Sequence, residues 1–356
     1  MSKGKLQLAY RKLITVEEAA SKIHSNDTLV VSGFVAQNCP DRLLEALASR
    51  FKETGRPKDL TLLFGGGPGD YDSRGLNRLA LPGMLKRCIG GHYGQVPKIA
   101  NMVLNNEIPA FALPLGGISK MIRSAASHTP DYLSKVGLGT FVDPRVRGGR
   151  LNDLAASEEY VSLTTINGSE YLRYKSIPIR VALIQASTAD TDGNLSMERE
   201  STLGDSRIMA TAARASGGVV IAQVGRIAKA SSLKSRETHI PSSLVDFICH
   251  VPEQTMSFFV DYDPAATGEI RIPPSTDFKQ NRTSAKNGDV KGMKGKTDER
   301  IIIARRAAKE LNLGDIVNLG IGMPEGLAEV VGQENCGKMI TLTTEAGIVG
   351  GEMVSG

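Results

Sequence analysis

The chain has 356 residues, 43 of them basic and 38 acidic, for a formal charge of +5. The length suits two domains, and a charge excess this small is compatible with a polyphosphate ligand without singling one out. Hydrophobic residues make up 41% and tryptophan is absent; no run approaches the ~20 apolar residues of a membrane span, and no basic run is interleaved with aromatics as in nucleic-acid binders.

The first element is a helix over 15–24, with Thr15 as N-cap and Glu18 three residues later. No apolar segment of a secretory signal precedes it, so a cytoplasmic location is expected. A short apolar run over 27–34, ending in glycine, predicts a buried strand. A helix follows over 40–51, then a strand over 60–64 that runs into Gly65-Gly-Gly-Pro-Gly69. Strand, helix, strand with glycines at strand ends is the pattern of an open parallel α/β sheet. Further strands are expected at 110–113, 181–186, 218–224 and 244–249.

Residues 276–299 are polar, glycine-containing and without apolar periodicity, which reads as a linker. It divides the chain into a first domain (1–275) and a second (300–356). The second opens as the first does. Ala19-Ala-Ser-Lys-Ile-His-Ser-Asn-Asp27 aligns without a gap with Ala307-Ala-Lys-Glu-Leu-Asn-Leu-Gly-Asp315. Each is followed by an apolar strand, a glycine turn, a proline-led helix and a second strand ending in glycines. A generic echo of two βαβ units would look similar, but two related α/β domains is the favoured reading. The second copy ends just past its second strand and reads as incomplete.

Four cysteines lie far apart without a CxxC pair, and five histidines form no HExxH. Both facts argue against a metal site or a disulfide framework. Gly65-Gly-Gly-Pro-Gly69 lacks the Lys-Ser/Thr of a P-loop, so a tight strand exit is the favoured reading over a phosphate cradle. Gly90-Gly-His-Tyr-Gly94 and Pro114-Leu-Gly-Gly117 are glycine turns near strand ends, where ligand clefts of parallel sheets collect. Asn318-Leu-Gly-Ile-Gly-Met-Pro-Glu-Gly326 sits between strand and helix, where backbone N–H groups can meet a phosphate. It leaves open a nucleotide-binding oxidoreductase using Gly320–Gly326, with Glu345 on the ribose.

Met339-Ile-Thr-Leu-Thr-Thr-Glu-Ala-Gly-Ile-Val-Gly-Gly351 delivers one carboxylate, Glu345, to a strand end before glycines. Such a glutamate could cap a helix or pair with a lysine. It could equally be a nucleophile, since a carboxylate of pKa about 4.3 is already anionic near neutrality and needs no activating base.

Leu342-Thr-Thr-Glu-Ala-Gly-Ile-Val-Gly350 resembles the catalytic signature of family I coenzyme A transferases, in the propionate/acetate CoA-transferase branch. Asn26–Pro40, Gly91-His-Tyr-Gly94, Gly139-Thr-Phe-Val-Asp-Pro-Arg145 and Ala182–Asn194 resemble the same branch, so the likeness runs from about residue 12 onward. The resemblance implies two related open parallel-sheet domains, the second incomplete here, with the active site between them. It implies Glu345 as the catalytic nucleophile, and Gly320, Gly322, Pro324, Gly347, Gly116 and Gly117 as residues around CoA and substrate. It further implies coenzyme A as a substrate rather than a resident cofactor, acyl-CoA and short-chain carboxylates as partners, and a homo-oligomer. An inactive CoA-binding fragment is the other reading that the apparent incompleteness leaves open. Where the branch often has Pro-Gln-Gly, this chain has Pro114-Leu-Gly116, so Leu115 removes a candidate oxyanion donor.

Overall fold

The computed structural model describes residues 12–270, 299–320, 322–333, 339–344, 347 and 349–350. The chain forms two compact units, Met1–Ile270 and Arg271–Gly356. The expected linker lies outside the described residues except for Glu299, which opens a helix.

In the first unit, helix α1 (Val16–Ser21) starts at the anticipated capping box: Thr15 Oγ1 accepts from Glu18 N–H at 3.1 Å, and Glu18 Oε2 accepts from Thr15 N–H at 2.9 Å. Strand β1 (Thr28–Val31), helix α2 (Asp41–Thr54), β2 (Leu60–Phe64), β3 (Leu85–Gly90), α3 (Pro97–Leu104), β4 (Ala110–Ala112) and α4 (Leu115–Ala126) follow. Strands β5 (Asp131–Ser134), β6 (Val161–Ile166) and β7 (Ser169–Lys175) make a separate antiparallel sheet in the order β5-β7-β6. The chain then re-enters the main sheet as β8 (Val181–Asp190), β9 (Leu195–Ser196), α5 (Ser206–Ala215), β10 (Val219–Ala228), β11 (Thr238–Ile240) and β12 (Phe247–His250).

The parallel strands run in the order β12-β10-β8-β1-β2-β3-β4, with β9 and β11 added antiparallel beyond β8. All ten residues of β8 and all five of β2 are buried, as expected of strands covered on both faces. Alternate side chains of β2 serve different cores. Leu62 and Phe64 pack with Leu43, Leu44 and Leu47 of α2 and Ile99 of α3, whereas Leu63 faces Ile118 and Met121 of α4 and Ala210 of α5.

The expected strands are present with altered ends. Strand β1 stops at Val31, because the chain turns at Gly33 (φ +128°) and bonds Phe34 to Gln37. The start of the strand expected at 244–249 is instead a single 3-10 turn, Ser242–Leu244, after Pro241.

The second unit contains α6 (Glu299–Ala308), β13 (Ile316–Leu319), α7 (Glu325–Gln333) and β14 (Thr341–Thr344), with β13 and β14 parallel. A small core of Leu319, Leu327, Ala328, Val331 and Leu342 holds them. The repeat seen in the sequence is repeated in hydrogen bonds. Asp27 Oδ2 accepts from His24 N–H at 2.7 Å, and Asp315 Oδ2 accepts from Asn312 N–H at 2.7 Å. The Asp27 carbonyl accepts from Thr61 N–H at 3.0 Å, and that of Asp315 from Thr341 N–H at 2.9 Å. The preceding residue is left-handed in both copies, Asn26 at φ +69° and Gly314 at φ +87°. The two segments thus close the same turn with the same hydrogen bonds.

Candidate active site

Each unit presents candidate groups at the C-terminal ends of its parallel strands. In the first unit β2 and β3 end in glycine turns, whereas the glycine turn expected at 114–117 is the start of helix α4, with Pro114 as its N-cap. The run after β2 is closed by packing. A Cβ on Gly66 would stand 2.5 Å from Phe34 Cδ2, one on Gly67 2.2 Å from the His92 carbonyl, and one on Gly69 2.3 Å from the Gln95 carbonyl. These glycines are needed because neighbours occupy their side-chain space, which supports the tight-exit reading over a phosphate cradle.

Gly116 and Gly117 lie in the first turn of α4. The first intrahelical bond runs from Ile118 N–H to the Pro114 carbonyl at 3.0 Å, so the N–H groups of residues 115–117 precede it and point along the helix axis. Gly116 is exposed, with no atom of the described residues within 4 Å of a notional Cβ, whereas Gly117 is buried against Pro114 and Tyr174. Leu115 is 40% exposed, and its side chain lies 3.7 Å from where a Gly65 Cβ would be. It offers no donor, so any hydrogen bond to a ligand here comes from backbone.

On the neighbouring turn after β3, His92 Nδ1 lies 2.6 Å from Gln95 Oε1, and Gln95 Nε2 donates to the Tyr71 hydroxyl at 3.2 Å. The motif at Gly139–Arg145 is a locked loop. The Asp143 carboxylate accepts from the N–H of Gly139 and Arg145 and from Arg145 Nε and Nη2, at 2.7–3.0 Å.

In the second unit, Leu319 and Thr344 are register partners at the ends of β13 and β14. The segments after them therefore leave the sheet side by side. One begins with Gly320 and continues through Gly322 (φ +97°) and the exposed Pro324 into α7. On the other, Gly347 (φ +87°) donates to the Thr344 carbonyl at 3.0 Å, and Gly350 to that of Leu342 at 2.8 Å, so the chain turns back on β14. Among the described residues, no heavy atom lies within 4 Å of a notional Cβ at Gly322 or Gly347. Glu345 lies outside the described residues. The structure thus brings Gly320, Gly322 and Gly347 to one strand-end region, with Gly116 and Gly117 on a helix of the other unit.

Residues 13–250 match the profile of the coenzyme A transferase family. The chain belongs to the coenzyme A transferase family. It is 37% identical over 343 residues to caffeate CoA-transferase of Acetobacterium woodii, covering 96% of this chain and 62% of that one. It is 32% identical to acetate CoA-transferase YdiF of Escherichia coli K12, covering 95% and 61%. The crystal structure of the Escherichia coli O157:H7 acyl-CoA transferase YdiF, as a thioester complex with CoA, superimposes with a TM-score of 0.87 at 31% identity, covering 96% of this chain and 66% of that one. The chain thus spans about three-fifths of the length of these curated relatives.

Sequence reasoning missed one polar centre in this CoA-transferase fold. Glu200 is only 6% exposed, accepting from Gln185 Nε2 at 3.0 Å and Ser187 Oγ at 3.4 Å. Burial pushes its pKa up to about 7; the bonds from Gln185 and Ser187 pull the other way, and the Glu198 charge adds to the rise. The available signal was Gln185 itself, a long amide that directly follows the apolar run at 181–184. Among the described residues, no group of three or more His, Cys, Asp or Glu is arranged to hold a metal ion, and no helix is long and apolar enough to cross a membrane.

Proposed function

We propose that the protein transfers CoA from a short-chain acyl-CoA to a carboxylic acid such as acetate, through a glutamyl-CoA thioester on Glu345. The observation that carries this is the likeness, over 96% of the chain, to an acyl-CoA transferase solved as a thioester complex with CoA. Residues 300–356 then belong to a second, beta-like domain bearing the nucleophile.

In the reaction, the Glu345 carboxylate attacks the donor thioester carbonyl and expels CoA thiolate, forming an acyl-glutamyl anhydride. The thiolate attacks the glutamyl carbonyl, releasing the donor acid and leaving glutamyl-CoA. The acceptor carboxylate attacks that thioester, and the expelled thiolate attacks the acyl carbonyl of the new anhydride. This gives acyl-CoA and restores Glu345. No net proton is moved, so no general base is required. Gly320, Gly322, Pro324 and Gly347 supply backbone against CoA and the thioester, and the N–H groups of Gly116 and Gly117 serve as candidate donors to an oxyanion. Coenzyme A is the substrate and no resident cofactor is called for. A cytoplasmic homo-oligomer is the assembly that the family resemblance supports.

The test is to incubate the protein with acetyl-CoA, reduce with borohydride and map the modification by mass spectrometry, assaying transfer to acetate and to caffeate in parallel. Reduction at Glu345, abolished in Glu345→Gln, is the expected result. Transfer that persists in Glu345→Gln would overturn the assignment.

A further inference from the structure

The direction of strand order in the first unit reverses between β1 and β8: β2, β3 and β4 lie on one side of β1, and β8, β10 and β12 on the other. Open α/β sheets keep working groups at the carboxyl ends that flank such a reversal. Here those ends carry a buried hydrogen-bonded cluster. Ser32 Oγ donates to the Asn38 carbonyl and accepts from Gln185 N–H, both at 2.9 Å. Ser187 Oγ accepts from Arg199 N–H at 2.8 Å. Gln185 Nε2 is shared between Glu200 Oε2 and the Thr255 carbonyl, at 3.0 Å each.

A strap, residues 254–260, crosses this cluster. Asn38 N–H donates to the Met256 carbonyl at 3.3 Å and Phe258 N–H to the Ala36 carbonyl at 3.0 Å, with an antiparallel bridge between Gln37 and Ser257. Gln254 Nε2 reaches the Ala186 carbonyl at 2.8 Å. Two guanidinium groups rest on its rings and those just beyond it, Arg74 4.8 Å from the Phe258 centroid and Arg199 4.4 Å from that of Tyr262.

The carboxyl that shares Gln185 with the strap has no cation bonded to it among the described residues. Its partners are an amide and a hydroxyl. The charged neighbours are Glu198, on the same segment, which is paired with Arg226 of β10, and Arg199, whose guanidinium is turned to Tyr262. The strap presents the Thr255 carbonyl to the shared amide, and the loop after β1 presents the Ser32 hydroxyl to the Gln185 backbone N–H and the Asn38 side-chain amide to the Thr202 carbonyl, all of them uncharged groups. A buried carboxylate with neutral partners is stable when protonated and costly when ionised, unless water reaches it.

We propose that Glu200 and Gln185 form a proton-operated latch on the strap 254–260, closed while the carboxyl is neutral and loosened when it ionises. With Glu200 protonated, the Gln185 amide holds the Thr255 carbonyl in a cluster free of net charge. Loss of the proton favours the open strap, in which water solvates the carboxylate. The latch is distinct from the transfer chemistry, which moves no net proton.

Hydrogen exchange on the intact chain tests it, read at the amides of Ser257 and Phe258 and corrected for the intrinsic rate at each pH. The closed carboxyl titrates near 7 and the open one near its ordinary 4.5. Protection should therefore fall about tenfold per pH unit between roughly 5 and 7, then level off. Glu200→Gln, isosteric and neutral, should keep the strap protected with no such slope. Gln185→Leu should lower protection at every pH. Protection that is flat from pH 5 to 8 overturns the proposal, as does the wild-type slope surviving in Glu200→Gln. So does strap exchange no faster than that of the β2 amides, because the strap would then open only by global unfolding.

Discussion

Gly66→Ala measures whether the glycine run after β2 serves packing or a ligand. Gly66 does not have a positive φ, so alanine suits its backbone, and by lowering the entropy of the unfolded chain would add about 0.4–1 kcal/mol of stability. Against that, the new methyl would sit 2.5 Å from Phe34 Cδ2 and 3.2 Å from Phe34 Cα. The first distance is an overlap that forces the ring to move, for which overpacking costs of about 1–3 kcal/mol are typical. The net expectation is a loss of about 1 kcal/mol. In a Phe34→Ala background the ring is gone and only the milder approach to the backbone of residue 34 remains, so the same substitution should be close to neutral. The coupling, about 1 kcal/mol, is read from urea midpoints of the four proteins in a double-mutant cycle. A Gly66→Ala cost that is unchanged by removing Phe34 would refute the packing argument. A variant of full stability that had lost CoA binding would restore the phosphate-cradle reading.

Glu200 should also mark global stability. Its folded pKa of about 7 lies above the ordinary 4.5, so the native state binds the extra proton and wild-type stability falls as pH rises from about 4.5 to 7, by about 3 kcal/mol at most. Glu200→Gln should then match wild type near pH 5 and exceed it at pH 8 in urea titrations; an equal gap at both pH values would contradict this. Asp27→Ala and Asp315→Ala each remove the 2.7 Å bond that closes the repeated turn, at a cost of about 1 kcal/mol. Hydrogen exchange should localise the loss to β1–β2 in one variant and to β13–β14 in the other, and a uniform loss in both would count against two turns of one design. Cys39, Cys88 and Cys249 are buried, and burial raises all three thiols, Cys249 to about 12. Iodoacetamide at pH 8 should label them only after denaturation, by peptide mass spectrometry; native labelling at the rate of a free thiol would show that the sites open.

Much of the fold was legible because its signals are local. The Thr15–Glu18 capping box, the run 60–64 and the aspartate turns at 27 and 315 all depend on residues a few positions apart. Strands β6 and β7 escaped notice because each mixes exposed and half-buried polar positions, and their pairing with β5 is set by tertiary contact. Glu200 escaped for a different reason. Its burial depends on a strap more than fifty residues further along the chain, and nothing near it in sequence announces a carboxylate without a cation. The glycines at 65–69 were visible, but only their neighbours in space, Phe34, His92 and Gln95, say what they are for.

The twin aspartate turns carry a consequence for how such a chain can change. Each holds its strands in register with backbone groups and one carboxylate, and spends no side chain from the residue that follows the second strand. That residue is glycine after Phe64 in one copy and glutamate after Thr344 in the other. A module of this kind can change its strand-end residue by point substitution, because the bonds that set its register are made at the far end of the strands.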